Sequence, residues 1–322
     1  MGARLQSASA AAAASPFDLD DERAYLRWRA AKLDRHPDTV EALTVDVADP
    51  RALTAAERAA LLDRISRANF ALYRSPVTAA DKELPRALGA QLGLRRLDAN
   101  WLADEDGISQ VTLAAPADPA RERGGGGRDG FIPYTTRALR WHTDGYYHPA
   151  ARRIHGMILH CVRAAPSGGV NGLLDPEMAY IALRDASPAH VRALMQTDVM
   201  TIPARAAGDG ESEARAAQSG PVFTVEAADG SLHMRYTART RSIVWRDDAA
   251  TRAALACLEA LLASDSRWIL RTRLDAGMGI VGHNVLHERS SYEDDPARPR
   301  LLYRARFLHR VAAAAEAPCR NG

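Results

Sequence analysis

The pattern of apolar and polar positions divides the chain into a helical opening and a longer stretch of short strands. Between residues 54 and 70, Leu61, Leu62, Ile65 and Phe70 supply an apolar stripe at helical spacing, which predicts an amphipathic helix. Thr54 is placed to cap that helix, and Glu57 stands three residues on, the spacing of a capping box. An earlier helix is expected over 20–32, with Asp20, Asp21 and Glu22 in its first turn and basic residues later. From Phe131 onward the pattern changes to short strands separated by turns. Strands are expected at 154–162, 279–284 and 301–308, and a hairpin joins 221–226 to 231–236 across Ala228-Asp229-Gly230. Helices interrupt them at 176–195, in pieces, and at 248–262. Many short strands with inserted helices predict a mainly β protein with flanking helices (α+β) on a double-stranded β-helix, or jelly-roll, core. The expected organisation is an alanine-rich disordered tail over 1–18 and one domain over 19–322. Within it, 19–130 is a helical part and loop, and 131–310 is the jelly-roll core with helical insertions.

Composition narrows the partners. A chain of 322 residues is long enough to bury a proper core. Its 42 basic and 40 acidic residues are balanced, and no basic stripe or aromatic platform suggests nucleic-acid binding. Lys32 and Lys82 are the only lysines. Cys161, Cys257 and Cys319 are odd in number and far apart, so neither a disulfide framework nor a CxxC pair exists, as expected of a reducing cytoplasm. No apolar run is long enough to cross a bilayer, and the stretch 7–15 lacks the hydrophobic core of a signal peptide. The glycine run 124–127 lacks the following Lys-Ser/Thr of a phosphate loop and reads as a surface loop. A cytoplasmic protein is therefore expected, with no nucleic-acid or membrane partner and a homo-oligomer left open.

The chemistry concentrates in Trp141-His142-Thr143-Asp144-Gly145-Tyr146-Tyr147. In a strand, side chains two apart share a face, so His142 and Asp144 would present an imidazole and a carboxylate to one metal ion. A second histidine from another strand would complete a two-His, one-carboxylate triad, which leaves three coordination positions open. An HxD alone is also compatible with a hydrogen-bonded loop. Far downstream stands Gly282-His283-Asn284-Val285-Leu286-His287-Glu288-Arg289, followed by Arg298-Pro299-Arg300-Leu301-Leu302-Tyr303-Arg304. A glycine pair, Gly168-Gly169, lies in the segment 161–174 between them.

With these motifs in this order, roughly from Tyr134 to Phe307, the sequence resembles the taurine/2,4-D dioxygenase (TauD/TfdA) family of Fe(II)- and 2-oxoglutarate-dependent enzymes. The resemblance implies that His142, Asp144 and His287 hold iron, and that Arg300 grips the distal carboxylate of 2-oxoglutarate. Asn171 stands where the family often has a threonine that bonds the same carboxylate, and Arg298 is a rival to Arg300. The distal carboxylate calls for a planar, permanently charged, bidentate partner, which arginine supplies. The implied reaction consumes 2-oxoglutarate and O2, releases succinate and CO2, and oxidises a small substrate. The resemblance implies that Arg304 meets an anionic group on that substrate; its alternative is an ion pair with Asp175 or Glu177. Trp141 reads as packing, and Tyr146, Tyr147 and Tyr236 are open between pocket and packing. His148, His155, His160, His233 and His283 have no ligand spacing beyond a structural or surface role. Two other functions stay open: a non-catalytic metal- and 2-oxoglutarate-binding sensor, and a zinc hydrolase on the same triad.

Overall fold

The capping box starts the helix it predicts. In the computed structural model, which describes residues 15–98, 106–113, 132–204 and 215–312, the helix Ala55–Ala68 opens with both bonds of the box. Thr54 Oγ1 accepts from the Glu57 backbone, and Glu57 accepts the Thr54 N–H at 2.7 Å. The helix ends before the expected Phe70 because Asn69 adopts a left-handed conformation, φ 64°, which redirects the chain into a strand. The first helix forms over Glu22–Arg35, capped by Asp21. The stretch 176–195 forms two helices, Pro176–Ala186 and Pro188–Leu194, each with proline in its first turn. Asp248 caps Ala249–Ala263.

Two sheets carry the fold. The larger runs Thr44–Asp46, Phe70–Arg74, Met278–His283, Gly156–Arg163, Leu301–Phe307, Ile108–Val111, antiparallel except for the first pair. The smaller runs Leu270–Thr272, Asn171–Leu174, Leu286–Arg289, Leu139–His142, antiparallel throughout. Alternation along each strand then decides the layers. Phe70, Met157, Ile280 and Leu302 of the larger sheet share one core with Leu173 and Leu270 of the smaller. The reverse face of the larger sheet, with Tyr303, Ala305 and Phe307, packs on Leu61, Ile65 and Leu88 of two helices. The reverse face of the smaller sheet, with Trp141, Leu174 and Leu286, packs on the helices of 176–194 and 249–263. The order is helices, sheet, sheet, helices. The expected hairpin forms as Phe223–Val225 with Leu232–Met234.

Two expectations are corrected. The N-terminal part 19–130 is not simply helical, because it contributes three of the six strands of the larger sheet. The tail expected over 1–18 gives way to packed chain within its last residues. Phe17 is buried, its ring 5.1 Å from Trp28 and 5.3 Å from Tyr180, so two aromatic faces hold it. The remainder of that tail, 1–14, lies outside the described residues, as do the glycine run 124–127, Phe131 and Cys319.

Leu173 is fully buried between the sheets, so Leu173→Ala is expected to lower stability by about 2–5 kcal/mol in urea unfolding. Thr54→Ala, which removes only a cap, is expected to cost about 1 kcal/mol. The reverse ranking would mean that the two sheets do not share a core.

Candidate metal centre and active site

Strand register brings the imidazoles together. His287 pairs directly opposite His142 on one side and opposite Leu173 on the other. Directly opposed residues project from the same face, and Leu173 faces the core between the sheets, so both imidazoles face the larger sheet. Their ring centroids are 4.2 Å apart. Each Nδ1 lies 2.9 Å from a backbone carbonyl, that of Arg140 for His142 and that of Val285 for His287. A carbonyl only accepts, so each Nδ1 carries the proton and each Nε2 keeps its lone pair for a metal. Burial favours the neutral rings, pushing His142 down to about 3 and lowering His287 as well.

Asp144 reaches the same point by a different route from the one expected. The strand ends at His142, and Asp144 lies in the following turn, so strand alternation does not aim it. A side-chain amide holds the turn instead. Asn284 Oδ1 accepts the Asp144 N–H at 2.8 Å, while its Nδ2 donates to the carbonyls of Asp144 (2.8 Å) and Ile154 (2.9 Å). Gly145 then leaves with φ 67°, and a Cβ there would come within 2.5 Å of Ile154 Cγ1, so the turn requires glycine.

The result is a group of ligand atoms from His142, Asp144 and His287, all within 4.8 Å of one another, and the sole such group among the described residues. Asp144 Oδ2 is buried with no hydrogen-bond partner, a state that costs free energy unless something takes the lone pairs. Two neutral imidazoles and one orphaned carboxylate oxygen fit a divalent iron. Burial alone would raise the Asp144 pKa, but Arg304 and Arg306 hold the carboxylate well below its usual range.

Those arginines project from the inner face of Leu301–Phe307. Their Nη1 atoms lie 3.5 Å (Arg304) and 3.9 Å (Arg306) from Asp144 Oδ1. The acid near Arg304 is thus Asp144. The alternative partners, Asp175 and Glu177, instead bind the buried Lys32 ammonium at 2.6 and 2.5 Å. Arg304 Nε has no partner.

Arg300 precedes the strand, whose register slips between Leu301 and Leu302. It is buried, with Nη1 unpartnered, whereas Arg298 is exposed. Its guanidinium lies 5.0 Å from the Tyr292 ring, and that of Arg289 lies 4.7 Å from the same ring. Sequence reasoning missed Arg289, although its offset of two from His287 places it on the same strand face. Tyr292 carried no such signal. Asn171 is buried opposite Arg289 in the register, with only long contacts from Nδ2 to the carbonyls of Thr272 (3.4 Å) and Gly169 (3.5 Å). Asn171 by register and Arg300 through the shared Tyr292 ring thus lie near Arg289, at the end of the His287 strand.

The tyrosines divide. Tyr146 Oη accepts from Arg239 and Tyr147 Oη from Arg306, whereas Tyr236 belongs to the core under Trp245. A cavity of about 220 Å³ opens beside Asp144 and Tyr146, bounded also by Arg153, Ser219, His233 and Arg235. His283 ends the strand Met278–His283, so His283 and His287 do not form a helical ligand pair.

His142→Ala, Asp144→Ala and His287→Ala are each expected to abolish iron-dependent turnover in a protein that remains folded by circular dichroism. Asn284→Ala should weaken Fe(II) binding, titrated anaerobically, by roughly 10–100-fold, because it orients a ligand without being one. Wild-type affinity in Asn284→Ala would show that the amide does not hold the turn.

Comparisons with known proteins agree with this chemistry. The family model described as "Taurine catabolism dioxygenase TauD, TfdA family" matches residues 30–306. A uridine-5'-phosphate dioxygenase of Amycolatopsis sp is 28% identical over 269 residues, covering 74% of this chain and 94% of that protein. A uridine-5'-phosphate dioxygenase of Streptomyces sp is 32% identical over 189 residues, covering 56% and 65%. Among solved structures, asparagine oxygenase with Fe(II), 3-hydroxyasparagine and succinate is similar at TM-score 0.54 and 17% identity, covering 93% of this chain and 87% of that one. AAD-2 with Mn(II) and N-oxalylglycine is similar at TM-score 0.57 and 15% identity, covering 86% and 99%; at these identities the likeness concerns the fold. The chain belongs to the TauD/TfdA family and is a dioxygenase that uses Fe(II), 2-oxoglutarate and O2 to oxidise a small molecule.

Proposed function

We propose that His142, Asp144 and His287 hold the iron, that Arg300 and Asn171 hold the distal carboxylate of 2-oxoglutarate, and that Arg304 receives an anionic substrate. The observation that carries the metal assignment is the pair of Nδ1–H imidazoles facing an orphaned carboxylate oxygen. Bound iron with 2-oxoglutarate supplies the oxidising power, with release of succinate and CO2. The chain's own residues do the rest. Arg300 offers a buried, unpartnered Nη1 that a carboxylate would satisfy. Asn171 can turn its amide from its long contacts to the same anion. The two sheets keep water from the metal's faces, and Arg304 and Arg306 keep Asp144 anionic.

Arg304 supports an anionic substrate because a buried cation is costly without a counter-charge, and Asp144 is claimed by the metal. A phosphate ester is the first candidate, since both curated relatives are named for uridine-5'-phosphate; its body would occupy the cavity beside Tyr146 and His233. The outcome is hydroxylation at the carbon nearest the metal. We further read the facing sheets as the two halves of a double-stranded β-helix, with residues 19–312 as one domain, and the widely spaced free cysteines as those of a cytoplasmic protein. Among the described residues no helix is long and apolar enough to cross a membrane. A non-catalytic sensor is not favoured, because the triad and Arg300 are all present and the relatives are dioxygenases. A zinc hydrolase would leave Arg300 without a purpose.

Arg300→Lys is expected to raise the KM for 2-oxoglutarate roughly a hundredfold, the loss of about 2–3 kcal/mol from a bidentate charged pair, whereas Arg298→Lys should leave it unchanged. A large effect at Arg298 would move the assignment there. With uridine-5'-phosphate as the probe, Arg304→Ala should lose substrate-stimulated succinate formation while keeping its KM for 2-oxoglutarate. Normal stimulation in that variant would reject the anion role.

A further inference from the structure

Behind Asp144 lies a second buried carboxylate. Asp98, its side chain fully buried, accepts hydrogen bonds from Arg306 Nη2 (2.9 Å) and Arg152 Nη2 (2.7 Å) and lies 3.2 Å from His148 Nε2. Its backbone N–H also donates to the Arg306 carbonyl at 2.8 Å. The other Nη of Arg306 donates to Tyr147 Oη at 3.0 Å. The distances rank the two acids. The contact to Asp98 is a charge-assisted hydrogen bond, whereas the 3.9 Å approach to Asp144 is beyond hydrogen-bonding range. Only the field of Arg306 reaches Asp144.

A metal ligand needs this separation. A nearby positive charge keeps the carboxylate ionised, but a cation bonded to its oxygens would compete with the metal. An arginine buried in the interior and deprived of its acid would turn to the next one, and for Arg306 that is Asp144. We propose that Asp98 is a positioning residue for the metal centre, holding Arg306 off Asp144 and leaving that carboxylate to the metal. The inference rests on Asp144 being a metal ligand. It also accounts for the residues that follow the metal turn: Tyr147 holds the second donor of Arg306, and His148 and Arg152 hold Asp98.

The test uses Mn(II) as the probe, with its affinity for the full chain read by electron paramagnetic resonance. Asp98→Asn should raise the Kd for Mn(II) by roughly 10–100-fold, the usual reach of residues that orient ligands. Arg306→Gln, which removes the potential competitor while Arg304 still stands beside Asp144, should bind Mn(II) about as tightly as wild type. The double variant Asp98→Asn/Arg306→Gln should recover most of the affinity lost by Asp98→Asn. A purely structural Asp98 would give a double variant no better than Asp98→Asn, and that result overturns the proposal. So does an unchanged Kd in Asp98→Asn, or a loss in Arg306→Gln as large as that of Asp98→Asn. Should Asp98→Asn fail to fold, the double variant decides: a folded protein that binds Mn(II) near the wild-type affinity supports the proposal, and lost folding or binding overturns it. Failure of the metal assignment is separately visible, because wild type would then bind Mn(II) no better than Asp144→Ala.

Discussion

A carboxylate kept ionised in a desolvated interior is the constraint on which this site depends. Burial penalises the charge of Asp144, and the protein answers with two cations on a strand of the facing sheet, of which Arg304 donates one long hydrogen bond to Oδ1 and none reaches Oδ2. A counter-ion bonded to both oxygens would satisfy the charge but leave no oxygen free; here Oδ2 stays unpartnered. Arg304 and Arg306 stand at 3.5 and 3.9 Å from Oδ1, near enough to hold the proton off, with Arg304 bonded only at the limit of hydrogen-bonding range and Arg306 beyond it. Their own desolvation is met elsewhere, by Asp98 and Tyr147 for Arg306, and only incompletely for Arg304, whose Nε has no partner.

The same economy of contacts runs through the surrounding sheets. Each residue of the candidate metal centre is fixed through an atom that leaves another ligand atom free: the histidines through Nδ1, and Asp144 through its backbone amide and carbonyl. Polar atoms left unsatisfied in a folded interior weaken it, and a protein keeps them where function uses them. Here Asp144 Oδ2, Arg300 Nη1 and Arg304 Nε are among the buried side-chain atoms that stand unpartnered. The apolar core between the two sheets, with Leu173, Leu270, Ile280 and Leu302, supplies the burial that supports them.

The sequence by itself determined the elements with local causes. Thr54 and Glu57 specify a helix start because both bonds of the capping box close within four residues. Alternation in 301–307 assigns Leu302, Arg304 and Arg306 to one face and Tyr303, Ala305 and Phe307 to the other because the period of a strand is two. The order of HxD, the glycine pair, the distal histidine and the closing arginines identified the family and the residue types of a two-histidine, one-carboxylate site. Tertiary structure decided what depends on segments meeting from far apart. The pairing of His142 with His287 is a matter of register between strands from opposite ends of the core. The aim of Asp144 comes from Asn284, not from the strand pleat expected of HxD. Asp98 and Tyr292 carry no periodic or motif signal, and each acquires meaning only beside the arginine it meets. Local pattern is written in neighbouring residues, but the balance of buried charge is a sum over segments that only the fold brings within a few ångströms.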